Sequence, residues 1–492
     1  MSSLPSRPGL LSRLFAVRSV DSIVSELASA PQLKRVLTAR SLTAIGLGAT
    51  IGTGVFILTG TVAANHSGPA LTLALLIAAL GSGFAAICYA EFAAMIPVSG
   101  SAYTYAYCTL GEAIAWFIGW NLSLEYMLSA SAVAVGWSGY VVNLLSKVGI
   151  HLPDALINAP LGKTESGSLG ATGAIVNMPA VLIVLALGYV CYVGVKESAT
   201  LNNFMVFIKV GIIVVFVLAG MAYVDTANWQ PYVPENTGKR GEFGWSGVMQ
   251  GAAIIFFSYI GFDTASTAAR EARNPQRDVP LGILSALAIS AVLYVAMSAV
   301  LTGMVPYTQL DVAAPVAVAL DAHPGIKWLG GLVELGAIVG MTSVILMSLL
   351  GQPRIFLAMA EDGLLPPSWK KVHPKYRTPH VATAVAVIIA AVIAGLFPLD
   401  VLGELISIGI LLAFTGVCIG VLVLRYTRPE MPRPFRVPLA PVTCTLGALV
   451  CMTMMYFLPP DTWWRLLVWS FLGFSIYGLY GYRHSKLRAE GR

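Results

Sequence analysis

The sequence predicts an all-α polytopic membrane protein with about twelve transmembrane helices. Of its 492 residues, 57% are hydrophobic and 11% are charged, whereas soluble proteins carry roughly 25% charged residues. Apolar runs long enough to cross a bilayer, about 20 residues each, recur along the chain. Because lipid offers no partner to exposed backbone groups, such runs fold as helices, and no short alternating segments indicate a barrel.

The predicted spans divide the chain into a cytoplasmic N-terminal segment at 1–40, a transmembrane domain at 41–482 and a cytoplasmic tail at 483–492. The spans lie at 41–65, 69–96, 112–145, 174–195, 199–224, 244–270, 279–305, 325–357, 379–398, 401–424, 438–458 and 463–482. The connections between them are too short to form a soluble domain with its own core.

Positively charged loops stay on the cytoplasmic side, so Lys and Arg fix the orientation. With both termini in the cytoplasm, the basic residues left outside are Lys147, Lys163, Lys239, Arg240, Lys327 and Arg465. The net charge of +6 follows from this orientation and does not indicate nucleic-acid binding. The six cysteines lie in predicted helices or a cytoplasmic loop, so we expect them to be reduced. We expect no cleaved signal peptide in the N-terminal segment.

Two spans carry helix-breaking residues near their middle. The first is interrupted at 51–54 (Ile-Gly-Thr-Gly), and the sixth at 258–263 (Ser-Tyr-Ile-Gly-Phe-Asp). Matched interruptions five spans apart indicate a 5+5 inverted repeat, helices 1–5 and 6–10, with discontinuous helices 1 and 6. Freed backbone groups are costly in a membrane, so the breaks favour a polar ligand at the midplane. Close helix packing is the alternative reading of Gly48 and Gly52.

Several motifs make the sequence similar to a known family. They lie at 45–56, 89–92, 97–103, 256–263, 271–277 and 351–354. The chain resembles the amino acid/polyamine/organocation permeases, and within them bacterial members of the cationic amino acid transporter branch. That resemblance implies the inverted repeat with two peripheral helices, an L-amino acid as substrate, and proton coupling or exchange in place of sodium. Animal members of the branch carry two further spans, so twelve predicted spans favour a permease of the bacterial inner membrane. Whether a small membrane subunit accompanies the chain is left open.

Backbone groups at the breaks are the candidates for binding the parts that all amino acids share. The N–H groups of Thr53, Gly54 and Val55 open the second half of the first helix, and a helix N-terminus favours a carboxylate. The carbonyls of Ile51, Phe257 and Ser258 are predicted to take the ammonium. The resemblance adds an aromatic gate at Phe257 and a pocket-lining residue at Ile260.

Lys209 is the one basic residue that falls inside a predicted span, far from either end. Such a side chain must face protein or a cavity. We interpret it as a proton-coupling group, which in resembling permeases replaces a sodium ion between helices 1, 5 and 8, with Thr342 and Ser343 as oxygen partners. A permanently charged structural lysine is the alternative.

Three further residues are candidates for selectivity. Glu125 lies among small and polar residues of the third span. Its carboxyl group either recognises the substrate or gates the site, or it is a buried acid that is kept neutral. Asp263 either caps the second half-helix or faces a cationic side chain. Met341 either fills a distal pocket that excludes arginine or is plain packing.

Other classes of function fit the sequence less well. An intramembrane enzyme needs a nucleophile, a metal or paired acids in a motif, and the scattered histidines give no ligand spacing, so we expect no catalytic residues, metal or cofactor. A channel would show repeated polar or charged rings. A sensor that binds amino acids without transporting them, and an exchanger of cationic amino acids, remain alternatives to a transporter driven by protons.

Overall fold

The computed structural model describes residues 16–19, 37–96, 101–163, 169–193, 198–269, 272–376 and 378–489. Most of the predicted N-terminal segment, the motif residues 97–100 and 271, and the last three residues lie outside these ranges. Within them the fold is all-α apart from one small hairpin of β1 (Leu161–Lys163) and β2 (Leu169–Ala171). The predicted fold class is confirmed.

The helices follow the predicted spans closely. They are α1 Ala39–Thr50, α2 Thr59–Val62, α3 Leu71–Met95, α4 Ser101–Thr109, α5 Glu112–Lys147, α6 Met178–Val193, α7 Ser198–Gly220, α8 Gly244–Ile255, α9 Thr264–Thr267, α10 Pro275–Met304, α11 Pro315–Asp321, α12 Leu329–Glu361, α13 His380–Leu396, α14 Leu399–Thr427, α15 Ala440–Phe457, α16 Pro460–Ile476, α17 Tyr482–His484 and α18 Lys486–Ala489. Of the described helical stretches, eight are long and apolar enough to cross a membrane, and the shorter apolar α6 and α13 coincide with the fourth and ninth predicted spans.

Both predicted interruptions are present. In the first span α1 ends at Thr50, Ile51 is extended, and helical structure resumes with π-helical turns at Gly54–Leu58 and Ala63–Ser67 on either side of α2. In the sixth span α8 passes into a 3-10 turn at Phe256–Tyr259, and Ile260 is extended. Gly261 follows with φ +114°, a conformation that side chains rarely adopt, before α9 begins.

The long helices pack around these breaks. The third span, α5, lies along α12, and α3 lies along α10, which also contacts α1. These contacts join helices distant in sequence, and the aromatic side chains of Tyr140 on α5 and Tyr294 on α10 are fully buried. The two broken spans are therefore enclosed by continuous helices that hold their positions.

Candidate functional site

The two breaks are in direct contact with each other. A Cβ atom placed on Gly54 would lie 2.6 Å from the Cα of Ser258, so only a glycine permits this approach. A Cβ atom on Gly261 would lie 2.6 Å from the carbonyl carbon of Ala49 in the first span. The polar backbone of both breaks thus converges on one place inside the helix bundle.

Unpartnered hydrogen-bonding groups collect at this contact. The N–H groups of Val55 and Phe56 donate to the Gly52 carbonyl, at 3.2 and 3.3 Å. The N–H groups of Thr53 and Gly54 donate no hydrogen bond to any described residue. The hydroxyls of Thr53 and Ser258 are also buried without a partner in that part of the chain. Four polar groups are therefore available beside the helical stretch that begins at Gly54.

The three carbonyls predicted to receive an ammonium differ in their occupancy. The Ile51 carbonyl accepts a hydrogen bond from the Lys209 ammonium, and the Phe257 carbonyl accepts one from the Ile260 N–H at 3.2 Å. The Ser258 carbonyl accepts none from the described residues. Each carbonyl oxygen has two lone pairs, so the two occupied ones can accept a second donor.

Lys209 is fully buried, and its ammonium lies inside the first break. The Nζ atom is 2.6 Å from the Gly48 carbonyl oxygen, 2.9 Å from the Ile51 carbonyl oxygen and 3.0 Å from Ser343 Oγ. These three acceptors match the three donors of a protonated lysine. The two carbonyls lie on either side of Ala49 and Thr50 at the end of α1, so Lys209 ties α7, the first span and α12 together.

Thr342 does not share this contact. Its hydroxyl accepts a hydrogen bond from Trp137 Nε1 at 3.0 Å and donates to the Ile338 carbonyl at 2.8 Å. Neighbouring residues on a helix point about 100° apart, so Ser343 and Thr342 cannot both face Lys209 well. The structure brings Lys209 to Ser343 alone of the predicted pair.

Two of the three selectivity candidates meet at one small cavity. Glu125 and Asp263 line a cavity of about 10 Å³, with Ile260 beside them. Asp263 occupies the residue before α9, but its side chain makes no capping hydrogen bond. Met341 is fully buried on α12 and is not among the cavity-lining residues, where the same helix contributes Met347 and Ser348 instead.

Sequence reasoning missed several residues at the breaks. Tyr294 and Tyr140 donate hydrogen bonds to the Thr50 and Phe56 carbonyls, each at 3.0 Å, and so satisfy backbone groups that the first break exposes. Val344 packs on the break, since a Cβ atom on Gly52 would lie 2.9 Å from its Cγ2. Tyrosines buried in α10 and α5 were a usable signal, because a buried hydroxyl needs a partner. A valine carries no such signal.

A second polar contact lies at the end of α12. Asp362 accepts hydrogen bonds from Arg18 Nη1 and from the Tyr103 hydroxyl, both at 2.7 Å. Burial raises the pKa of Asp362 to about 6, although Arg18 and Tyr103 act in the opposite direction. This contact joins the segment before the first span to the end of the eighth.

An all-α membrane bundle with a polar site at two matched helix breaks is the architecture of a membrane transport protein. The family model described as amino acid permease matches residues 37–477, and the chain belongs to that family. The family and its relatives are transporters, so this protein is a transport protein and not an enzyme.

Three relatives illustrate the range of the family. The branched-chain amino acid permease BcaP of Bacillus subtilis is 45% identical over 475 residues, which are 96% of this chain and 99% of the relative. The methylthioribose transporter of Bacillus subtilis is 44% identical and covers 97% of this chain and 100% of the relative. Cationic amino acid transporter 4, vacuolar, of Arabidopsis thaliana is 40% identical over 81% of this chain and 64% of its own length.

Proposed function

We propose that the chain is a secondary active transporter that moves an L-amino acid across the bacterial inner membrane, coupled to protons and independent of sodium. Both termini lie in the cytoplasm in this proposal. Family membership and the relatives' names support an amino acid as substrate. The single observation that carries the mechanism is the Lys209 ammonium bound to the first break, next to the unpartnered N–H groups.

The available backbone groups suit the two charged ends of an amino acid. The free N–H groups of Thr53 and Gly54 lie at the positive end of a helical stretch, where a carboxylate is stabilised. The hydroxyls of Thr53 and Ser258 supply further donors. The Ser258 carbonyl, with the second lone pairs of Ile51 and Phe257, offers acceptors to the ammonium.

Substrate binding requires the two breaks to separate. Gly54 touches Ser258 in this conformation, and the neighbouring cavity of about 10 Å³ holds no more than one water. The breaks stand five spans apart in sequence, as expected when an inverted repeat rocks around a fixed midplane site. We therefore assign this structure to a closed state of an alternating-access cycle.

Lys209 is suited to couple a proton to that movement. A protonated lysine satisfies all three acceptors around it, whereas a neutral amine has only two N–H donors and turns a lone pair toward one of them. Deprotonation therefore weakens the tie between α7, the first break and α12. The proton shifts the population of access states through its different affinity for each.

The side chains near the breaks favour an uncharged substrate side chain. Phe257, Ile260 and Val344 are apolar, and each is buried beside the contact of the two breaks. Two relatives with closely similar identity are named for branched-chain amino acids and for methylthioribose. We propose a neutral amino acid, with Met341 as the residue that fills the distal end of the pocket.

Uptake of labelled substrate into proteoliposomes tests this function. Leucine, arginine and methylthioribose are offered separately, each with and without unlabelled substrate inside. Net leucine uptake into empty vesicles is the expected result. Uptake that occurs only against internal substrate identifies an exchanger, binding without uptake identifies a sensor, and a preference for arginine or methylthioribose contradicts the proposed substrate.

A further inference from the structure

Two acidic side chains from different spans face the same small cavity. Glu125 lies on α5 and Asp263 follows the break of the sixth span, and only 3% and 2% of their surfaces are exposed. The cavity between them measures about 10 Å³. That volume is the minimum that holds a single water molecule, and it is too small for an arginine or lysine side chain.

No counter-charge accompanies the two carboxyl groups. Oε2 of Glu125 and Oδ1 of Asp263 are buried and make no hydrogen bond within the described residues. None of the ion pairs in that part of the chain includes either acid. The surrounding titratable and charged groups are Tyr126 on the same helix, Tyr105 on α4, which faces Asp263, and Arg354 on α12, which acts on Tyr126.

Two ionised carboxylates in such a place would repel each other with no cation to compensate them, since the described groups that face Asp263 are only backbone N–H dipoles and the neutral hydroxyls of Tyr126 and Tyr105. An uncompensated charge inside a membrane protein costs several kcal/mol, and adjacent acids of this kind retain one proton between them. We propose that Glu125 and Asp263 share a single proton, directly or through one water, and form a second proton site separate from Lys209.

This proton site joins two elements that have to separate. With the proton present, a hydrogen bond holds α5 to the segment after the sixth break; without it, two negative charges push them apart. The cavity wall also includes Ala49 near the end of α1 and Ser348 of α12, so separation opens a path between all four elements. The closed state binds the proton more tightly, so it is favoured at low pH and lost as pH rises.

A reporter cysteine at the cavity wall tests this inference without measuring transport. Met347→Cys is introduced in purified full-length protein in nanodiscs, and its alkylation rate by a small maleimide is followed from pH 5 to pH 9. Each rate is divided by the rate in the Glu125→Gln, Asp263→Asn double variant, which cancels the ionisation of the thiol itself. The six native cysteines are buried, and protein without the reporter gives the background.

The normalised rate is expected to rise with pH, by up to about tenfold per pH unit through the transition. Glu125→Gln and Asp263→Asn, made singly, should each move the midpoint down by more than about one pH unit, because the remaining carboxyl ionises without a charged neighbour. Glu125→Asp should keep the transition near its original pH. A midpoint that moves in only one single variant, or in neither, overturns the shared proton.

Two further measurements separate this inference from the proposed function. The transition should persist in Lys209→Met, and its loss there would assign the pH dependence to the lysine and overturn the pair. The infrared spectrum of the wild-type protein should show a protonated carboxyl at pH 7 that is diminished in the double variant. An identical carboxyl band in both proteins overturns the proposal even if the single variants fail to fold.

Discussion

Replacing Gly54 with alanine tests whether the contact between the two breaks is a binding element. The added methyl carbon would lie 2.6 Å from both Cα and Cβ of Ser258, closer than real Cβ atoms approach such neighbours. Overpacking of this kind costs about 1–3 kcal/mol. In the proposed substrate-bound state the amino acid lies between Gly54 and Ser258, so the same methyl group would overlap the bound carboxylate. A comparable cost there raises the dissociation constant by about 5- to 150-fold. In Gly54→Leu, binding should be lost altogether.

The matched control is Gly83→Ala on α3. No heavy atom lies within 4 Å of a Cβ atom placed there. The change should therefore only stabilise the helix, by about 0.5–1 kcal/mol, through the higher helix propensity of alanine. Dissociation constants are measured by isothermal titration calorimetry with leucine, and folding is followed by melting temperature. Unchanged affinity in Gly54→Ala, or an equal loss in Gly83→Ala, would refute the reasoning.

Three other predictions follow from the same structure. Lys209→Met should leave the Ile51 carbonyl unsatisfied, while the Gly48 carbonyl keeps its 3.3 Å hydrogen bond from Ser343 Oγ, so the free energy of unfolding should fall by about 1–3 kcal/mol. The pH dependence of transport should be lost, whereas Lys209→Ala should still bind substrate. An unaltered transport pH profile in Lys209→Met would make the lysine structural. Met341→Ser should admit longer cationic side chains, measured as arginine uptake, and wild-type protein that already prefers arginine would contradict the pocket argument. The pKa of Asp362 is about 6 in the folded protein against 3.8 in the unfolded chain. The free energy of unfolding should therefore fall by about 3 kcal/mol as the pH rises from about 4 to 6. This loss should be absent in Asp362→Asn, whose melting temperature should not change over this range.

The positions of the spans and of both breaks could be predicted because each rests on a local physical requirement. A membrane-crossing helix needs a long apolar run. An interrupted one needs glycines such as Gly261, which adopts a positive φ, and Gly54, which lets another backbone approach closely. Lys209 was identifiable for the same reason, since one charge within an apolar run demands a partner. These signals are contained in short stretches of sequence.

Contacts between distant stretches could not be predicted in the same way. Whether Thr342 or Ser343 faces Lys209 depends on the rotation of α12, which packing against α5 determines. The ion pair of Arg18 and Asp362 joins residues 344 positions apart, and an apolar scan does not detect such pairs. The meeting of Glu125 with Asp263 likewise depends on the path of the chain after the sixth break.

Proton-driven accumulation of leucine in sodium-free proteoliposomes tests the central claim most directly. Wild-type protein and Lys209→Met are compared with the vesicle interior more alkaline than the outside and the membrane potential clamped at zero. The account predicts that wild-type protein concentrates leucine above the external level, that a protonophore abolishes the gradient, and that Lys209→Met only equilibrates it. Accumulation that requires sodium, or that persists unchanged in Lys209→Met, would contradict the account.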